Sequence, residues 1–148
     1  MTTYALLRRD IASLRDVNFR YVILDEAQHI KNHTAATTAA ARSLNAEARL
    51  ALTGTPLENR LLELWSIVEF VNPGMLGSWR DFNRRWERPV AAAIENEGSK
   101  GKARDTAGRA EAESLRARLK PFLLRRTKAD VQRDLPPKIE TDVVVELT

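Results

Sequence analysis

The spacing of apolar and polar residues predicts alternating helices and strands in the first part of the chain. Apolar residues recur at helical spacing over residues 5–15, which predicts an amphipathic helix. The apolar run at residues 21–24 has no polar face, as is typical of a parallel strand covered on both sides. The Ala-rich residues 34–44 favour a helix, and residues 49–52 predict a second strand. The pattern therefore predicts a helix followed by a strand, helix, strand unit.

The rest of the chain is predicted to be mainly helical. Helices are expected at about residues 59–71, 78–86 and 110–120. Residues 72–74, Asn-Pro-Gly, would end the first of these helices. The polar residues 95–108 are expected to form a flexible loop. After the break at Pro136-Pro137, residues 139–147 alternate partly between apolar and polar, as an edge strand does.

Composition and charge narrow the class of protein. The 148 residues are 43% hydrophobic, which is enough for a buried core. They include no cysteine, which excludes disulfides and thiolate metal sites and suits an intracellular protein. We find no signal peptide and no apolar stretch of membrane-spanning length. Net charge is only +4, but residues 100–133 carry eleven basic and four acidic residues. This stretch would attract DNA phosphates in a salt-dependent way, although residues 100–109 also fit a merely solvated surface.

The sequence Asp25-Glu26-Ala27-Gln28, here called the acidic tetrad, directly follows the first predicted strand. Loops at the carboxyl ends of parallel strands are where open α/β sheets bind ligands. Paired carboxylates at such a place can hold Mg²⁺ and orient an attacking water, which is most of what phosphoryl transfer asks of a protein. The alternative is that these are ordinary acidic residues near a helix start, where the helix dipole favours them.

The sequence Thr53-Gly54-Thr55-Pro56, here called the threonine turn, follows the second predicted strand. A right-handed crossover would place it on the same edge of a parallel sheet as the acidic tetrad. The two hydroxyls would then face the carboxylates, with Gly54 free to bend and Pro56 suited to open the next helix. We therefore predict that the acidic tetrad and the threonine turn lie side by side.

Four stretches of the chain carry a more specific pattern. They are Thr2-Thr3-Tyr4 with residues 6–10, residues 25–32, residues 52–61 with Glu63-Leu64-Trp65-Ser66, and residues 121–128 with 135–138. In these stretches the chain resembles the Swi/Snf-type DNA-dependent ATPases, a branch of the superfamily-two helicases. The resemblance covers nearly the whole chain and is weakest at residues 88–113. It implies an α/β fold, an incomplete RecA-like P-loop NTPase lobe with a parallel sheet and flanking helices, plus a helical protrusion.

The resemblance also implies roles for the acidic tetrad and the threonine turn. Asp25 corresponds to the Walker B carboxylate that holds Mg²⁺ on ATP, and Glu26 to the residue that activates water. Gln28 would pass information between the γ-phosphate and the coupling residues, which are Thr53, Gly54 and Thr55. The implied cofactors are therefore ATP and Mg²⁺.

Two further places are implied to contact double-stranded DNA. Thr3 would bind a backbone phosphate, since hydroxyls commonly position a nucleic-acid backbone. Arg125, Arg126 and Lys128 would lie near the cleft between two lobes, facing either DNA or acidic residues of a second RecA-like lobe. The apolar residues 122–124 before them are expected to anchor this segment in the core.

The resemblance sets expectations for organisation and activity. Residues 1–72 would be part of the first ATPase lobe, 73–120 the helical protrusion and 121–148 a basic connector toward a second lobe. No Gly-x-x-x-x-Gly-Lys-Ser/Thr phosphate loop is present, because the nearest cluster, residues 98–102, has the wrong spacing. The 148 residues alone are therefore predicted to be inactive, as a piece of an intracellular, DNA-associated translocation motor. The isolated piece would dimerise through an exposed sheet edge. The alternative is a stand-alone DNA-binding or protein-interaction module with a vestigial acidic tetrad.

Overall fold

The computed structural model describes residues 1–54, 61–95 and 102–126. The predictions made for Thr55, Lys128 and residues 136–147 lie outside these ranges.

The first part of the chain forms a two-stranded parallel sheet with helices packed against it. Its elements are helix α1 (Tyr4–Leu14), strand β1 (Asn18–Leu24), helix α2 (Ala36–Arg42) and strand β2 (Asn45–Ala51). The strands pair in register, with Tyr21 opposite Ala48 and Leu24 opposite Ala51. The predicted strand, helix, strand unit is therefore confirmed. Both strands begin several residues earlier than predicted, and the connecting helix is shorter at both ends.

One face of the sheet is buried and the other is open. Val22 and Leu24 point into a core formed with residues of α1, α2 and helix α3 (Leu61–Val71). Side chains alternate between faces along a strand, so Tyr21 and Ile23 point the opposite way. They are 61% and 57% exposed. The expectation that β1 is covered on both faces is therefore wrong within the part of the chain described.

Helix α3 ends where the sequence predicts. The turn after it contains Gly74, whose φ of 78° lies in the left-handed region that favours glycine, and whose amide donates to Glu69 Oε2 at 3.1 Å. One side of α3 completes the sheet core with Phe70, which is fully buried. The other side contributes Trp65 to a second core. Helix α3 therefore joins the two packed regions.

Helices after residue 75 build the second core together with Trp65 of α3, or pack beside it. These are α4 (Trp79–Phe82), a π-helical turn (Asn83–Glu87), α5 (Arg88–Glu95) and α6 (Lys102–Leu119). The helix predicted at 78–86 thus continues to Glu95, and the helix predicted from residue 110 begins at Lys102. The expected loop at 95–108 is therefore helical over 102–108. A Cβ at Gly108 would clash with Ala93 Cβ and with the Pro89 carbonyl oxygen, so glycine allows α5 and α6 to approach closely.

After α6 and a short 3₁₀ turn (Lys120–Phe122), the described chain continues on the surface. Phe122 is 60% exposed, Leu123 47% and Leu124 81%. The prediction that these residues anchor the segment in the core is therefore wrong for the described structure, because no described element covers them. Among the helices of residues 1–54, 61–95 and 102–126, none is both long and apolar enough to span a membrane.

Candidate functional site

The carboxyl ends of the two strands bring the acidic tetrad and the threonine turn together. The Leu52 amide donates to the Leu24 carbonyl at 2.8 Å, and the Ala27 amide donates to the Leu52 carbonyl at 2.8 Å. These bonds continue the ladder of the parallel sheet past the ends of both strands. The predicted juxtaposition on one rim of the sheet is therefore confirmed.

Side chains of the two segments form a short chain of hydrogen bonds. Thr53 Oγ1 donates to Gln28 Oε1 at 2.9 Å, and Gln28 Nε2 donates to Glu26 Oε2 at 2.7 Å. Gln28 belongs to a 3₁₀ turn, Ala27–Ile30, that begins immediately after the paired carboxylates. Gly54 follows at the surface, where no atom of the other described residues lies within 4 Å of the position that a Cβ would take. The Gln28 amide side chain therefore links Thr53 of the threonine turn to the Glu26 carboxylate.

Glu26 adopts an uncommon backbone conformation. Its φ of 50° and ψ of 53° lie in the left-handed region, which costs a residue with a Cβ about 1–2 kcal/mol. The Glu26 amide donates to Asp25 Oδ1 at 2.9 Å, which supports the bend locally. Such strained residues cluster at functional sites, where the surrounding structure over-determines their conformation. The bend turns the chain from the end of β1 into the 3₁₀ turn.

The carboxylates of Asp25 and Glu26 are exposed. Across the described residues, no lysine, arginine or histidine forms an ion pair with Asp25 or Glu26. Magnesium in nucleotide sites is typically held by one or two carboxylates together with substrate phosphates and water, and not by a cage of protein ligands. Asp25 fits that role, and within the described ranges no cluster of three or more metal-ligating side chains is present. The donor set therefore suits a metal ion that binds together with a nucleotide.

A tyrosine from helix α1 contacts the backbone of the paired carboxylates. Tyr4 Oη donates to the Asp25 carbonyl at 2.7 Å and lies 3.5 Å from the Glu26 carbonyl. Its ring packs against His29, with 4.8 Å between the ring centroids. Burial raises the pKa of the Tyr4 phenol, and the charges of Asp25 and Glu26 raise it further, so the hydroxyl keeps its proton at neutral pH. This role was not predicted from the sequence, although Tyr4 lies beside the predicted phosphate contact.

Buried hydroxyls hold the other end of the 3₁₀ turn. The Ile30 carbonyl accepts from Ser66 Oγ at 2.6 Å, while Thr38 Oγ1 donates to the Asn32 carbonyl at 2.6 Å and lies 3.3 Å from the Ile30 carbonyl; Ser66 and Thr38 are fully buried. Arg42 in turn donates to the Ser66 carbonyl at 3.0 Å and to Ser66 Oγ at 3.1 Å. Burial lowers the pKa of Arg42, although Glu69 partly opposes this effect. In the sequence, this support could have been inferred from Ser66, a small polar residue within a strongly apolar helix.

The predicted nucleic-acid contacts occupy two separate places. Thr3 lies directly before α1, and as the N-cap its Oγ1 accepts from the Leu6 amide at 3.3 Å. Thr3 is near the acidic tetrad because the next residue, Tyr4, contacts it. Arg125 and Arg126 are exposed at the end of the described ranges, and no hydrogen bond or ion pair between described residues joins them to the acidic tetrad. Their roles remain predictions.

Comparisons with known proteins agree with this geometry. The family model described as the SNF2-related domain matches residues 1–148. The chain is 42% identical over 147 residues to the TATA-binding protein-associated factor MOT1 of Saccharomyces cerevisiae, covering 99% of this chain and 8% of that protein. It is 45% identical over 148 residues to the Zorya protein ZorD of Escherichia coli, covering 100% of this chain and 13% of ZorD. The chain thus spans only a small part of these curated relatives.

Solved structures show the same likeness. The Sulfolobus solfataricus SWI2/SNF2 ATPase core in complex with double-stranded DNA superimposes with a TM-score of 0.73 at 42% sequence identity. The match covers 95% of this chain and 27% of that one. A second structure, of the Sulfolobus solfataricus SWI2/SNF2 ATPase core domain, gives a TM-score of 0.67 at 42% identity and covers 95% of this chain and 26% of that one. The predicted fold class, an incomplete α/β lobe of RecA-like type, is confirmed.

Proposed function

The chain belongs to the SNF2-related domain family, and from this premise we propose that it is part of a motor that hydrolyses ATP and moves along double-stranded DNA. The observation that carries the proposal is the hydrogen-bond chain from Thr53 through Gln28 to Glu26, next to the exposed carboxylate of Asp25. This arrangement brings the Asp25 and Glu26 carboxylates and the Gln28 amide to the rim of a parallel sheet, where nucleotides bind in α/β folds.

Each side chain of the site has a separate task in this proposal. Asp25 holds Mg²⁺, which would neutralise charge on the ATP phosphates when bound. Glu26 orients the attacking water and accepts its proton, as a general base within hydrogen-bond reach does. Gln28 holds the Glu26 carboxylate through its amide nitrogen and Thr53 through its amide oxygen, so it connects the base to the threonine turn.

Contact with DNA is assigned to Thr3 and to the basic residues Arg125, Arg126 and Lys128. The similar Sulfolobus ATPase core is in complex with double-stranded DNA, which supports the same partner here. Thr53, Gly54 and Thr55 would then couple the nucleotide state to DNA contact. Because this chain covers 27% of that ATPase core, we propose that a phosphate loop and a second RecA-like lobe outside these 148 residues complete the motor.

The organisation proposed for these residues follows the two packed cores. Residues 1–72 contain the sheet and the acidic tetrad, 73–120 form a helical protrusion, and 121–148 connect to the second lobe. The 148 residues by themselves are expected not to turn over ATP, because they contain no phosphate loop and an arginine finger would come from elsewhere. The complete protein would act inside the cell, associated with DNA.

The proposal is tested by ATP hydrolysis of the complete polypeptide that contains this chain, with and without double-stranded DNA. We expect DNA to stimulate hydrolysis, and Thr53→Val to lower the stimulated rate by about tenfold because it deletes the bond to Gln28 at almost constant side-chain size. Thr37→Val on α2 is the matched control and should behave as wild type. ATP binding should change by less than about twofold in both variants, since the lost contact is between protein groups.

A different result would favour the other candidate function. If the complete polypeptide binds DNA with steep salt dependence but neither binds nor hydrolyses ATP, the chain is a DNA-binding module with a vestigial acidic tetrad. If Thr53→Val hydrolyses ATP at the wild-type stimulated rate, the threonine turn has no coupling role.

We also propose that the 148-residue chain alone self-associates through its sheet. Among the described residues, one face of the sheet exposes Tyr21, Ile23 and Leu50, and the two described strands leave edges that can pair with another chain. Light scattering after gel filtration should show dimers or larger species, and Ile23→Lys should shift them toward monomer. Leu6→Lys on α1 is the control. A wild-type chain that remains monomeric at high concentration would rule this out.

A further inference from the structure

Two adjacent residues at the start of helix α1 have contacts in different directions. Thr3 caps the helix, and its hydroxyl is the group assigned to a DNA phosphate. Tyr4, the first residue of the helix, donates its hydroxyl hydrogen to the Asp25 carbonyl at 2.7 Å. A single peptide bond therefore separates the proposed DNA contact from a side chain that holds the acidic tetrad.

The carbonyls near Tyr4 Oη belong to the two peptide groups on either side of the Glu26 Cα. The Asp25 carbonyl is part of the peptide before it, and the Glu26 carbonyl, 3.5 Å from the hydroxyl, is part of the peptide after it. The orientation of these two peptides sets φ and ψ of Glu26, which has the left-handed values of 50° and 53°. Since that conformation is unfavourable without support, the hydroxyl helps to determine where the Glu26 carboxylate points.

Tyr4 packs against the core as well as against the acidic tetrad. Tyr4, Ile11 and Leu14 all lie against the core that contains the buried Leu7, so α1 is held from its first residue onward. The Tyr4 ring also contacts His29 in the 3₁₀ turn. Tyr4 therefore contacts the core, the Asp25 carbonyl and the 3₁₀ turn, and it directly follows Thr3.

From this geometry we propose that Tyr4 is a positioning residue that couples DNA contact at Thr3 to the conformation of Glu26. The inference rests on the proposed function, since it assigns Tyr4 to the control of hydrolysis at that site. When DNA engages the start of α1, the Tyr4 hydroxyl holds the Asp25 and Glu26 peptides in the orientation that aims the general base at the water. Tyr4 touches neither DNA nor nucleotide in this scheme.

A purely structural role for Tyr4 gives a different expectation. A structural anchor would lower all activities together, whereas a coupling residue changes the ratio of DNA-stimulated to basal hydrolysis. Coupling between two ligands is also reciprocal, so a residue that carries it affects how nucleotide changes DNA affinity. The ratio of DNA-stimulated to basal hydrolysis and the effect of nucleotide on DNA affinity therefore distinguish a coupling role from a structural role.

The test uses Tyr4→Phe in the complete polypeptide, which removes only the hydroxyl, and Tyr21→Phe as the matched control. Tyr21 is the other of the two tyrosines of the chain and lies on the open face of the sheet. We expect Tyr4→Phe to lower the stimulation ratio by about fivefold to tenfold, consistent with loss of one hydrogen bond, while the Kd for DNA without nucleotide changes by less than about twofold. Tyr21→Phe should match wild type.

A second measurement needs no turnover. A non-hydrolysable ATP analogue should change the Kd for DNA in wild type, and this change should shrink in Tyr4→Phe. The inference is overturned if Tyr4→Phe retains the wild-type stimulation ratio and analogue effect, or if basal and stimulated rates fall in equal proportion. If wild-type hydrolysis does not respond to DNA at all, the proposed function itself fails, and this inference fails with it.

Discussion

Glu26→Gln is expected to lower DNA-stimulated ATP turnover of the complete polypeptide by about 10²–10⁴-fold, the usual contribution of a general base. Glutamine has nearly the same size as glutamate, and its amide oxygen can still accept the hydrogen bond that Gln28 Nε2 donates to Glu26 Oε2. It cannot accept a proton from the attacking water. The variant should therefore keep its fold and bind ATP, but lose the chemical step.

The measurement is steady-state hydrolysis with saturating DNA, together with nucleotide binding at equilibrium. Glu47→Gln removes an exposed carboxylate from the amino-terminal half of β2, away from the rim that holds the acidic tetrad, and should hydrolyse ATP as wild type does. A Glu26→Gln protein with unchanged turnover would refute the base role. Loss of ATP binding together with turnover would instead indicate that the carboxylate acts in binding.

Phe70→Ala is expected to lower the free energy of unfolding of the 148-residue chain by about 3–5 kcal/mol, as large-to-small changes at fully buried aromatic positions do. Phe70 is completely buried in the core between α3 and the sheet. The Arg49 guanidinium lies over its ring, 5.5 Å from the centroid, and Arg49 Nη1 donates to the Phe70 carbonyl at 3.2 Å. Truncation therefore leaves a cavity and removes the surface on which a partly buried arginine packs.

Urea unfolding followed by circular dichroism measures this change, with Phe122→Ala as the matched control. Phe122 is 60% exposed, so its truncation should alter the free energy of unfolding by less than about 0.5 kcal/mol. The comparison also tests whether residues 122–124 lie on the surface in solution. Equal losses for the two variants would show that this segment is anchored in the core, as the sequence pattern had suggested.

The strand order and the site rim were predictable because their signals are local. Few topologies are possible for a fully apolar run with Asp25-Glu26 after it, a helix-favouring stretch and a second apolar run. The reason is that the crossover between two parallel strands is almost always right-handed. Parallel pairing then places the loops after both strands on one rim. Within that arrangement the structure shows a hydrogen bond of 2.9 Å from Thr53 to Gln28, which had not been predicted.

The errors arose where tertiary packing, and not the local sequence, decides the structure. The polar composition of residues 102–108 suggested a loop, but Gly108 lets this part of α6 pack closely on α5, and tertiary contact overrode the weak local preference. The apolar residues 122–124 suggested burial, yet hydrophobic residues are inside only where another element covers them. The composition of a segment does not indicate whether another helix or strand lies close enough to cover it.

The sequence by itself therefore determined the family, the parallel strand pair, and the chemistry available to Asp25, Glu26, Gln28 and Thr53. Only the tertiary structure decided that Tyr4 holds the peptides around Glu26, that buried Ser66 supports the 3₁₀ turn, and that one face of the sheet is open. The physical reason is that residue type and periodicity act over a few neighbouring positions. Hydrogen bonds such as that from Tyr4 to Asp25, 21 positions apart, depend on how whole helices pack.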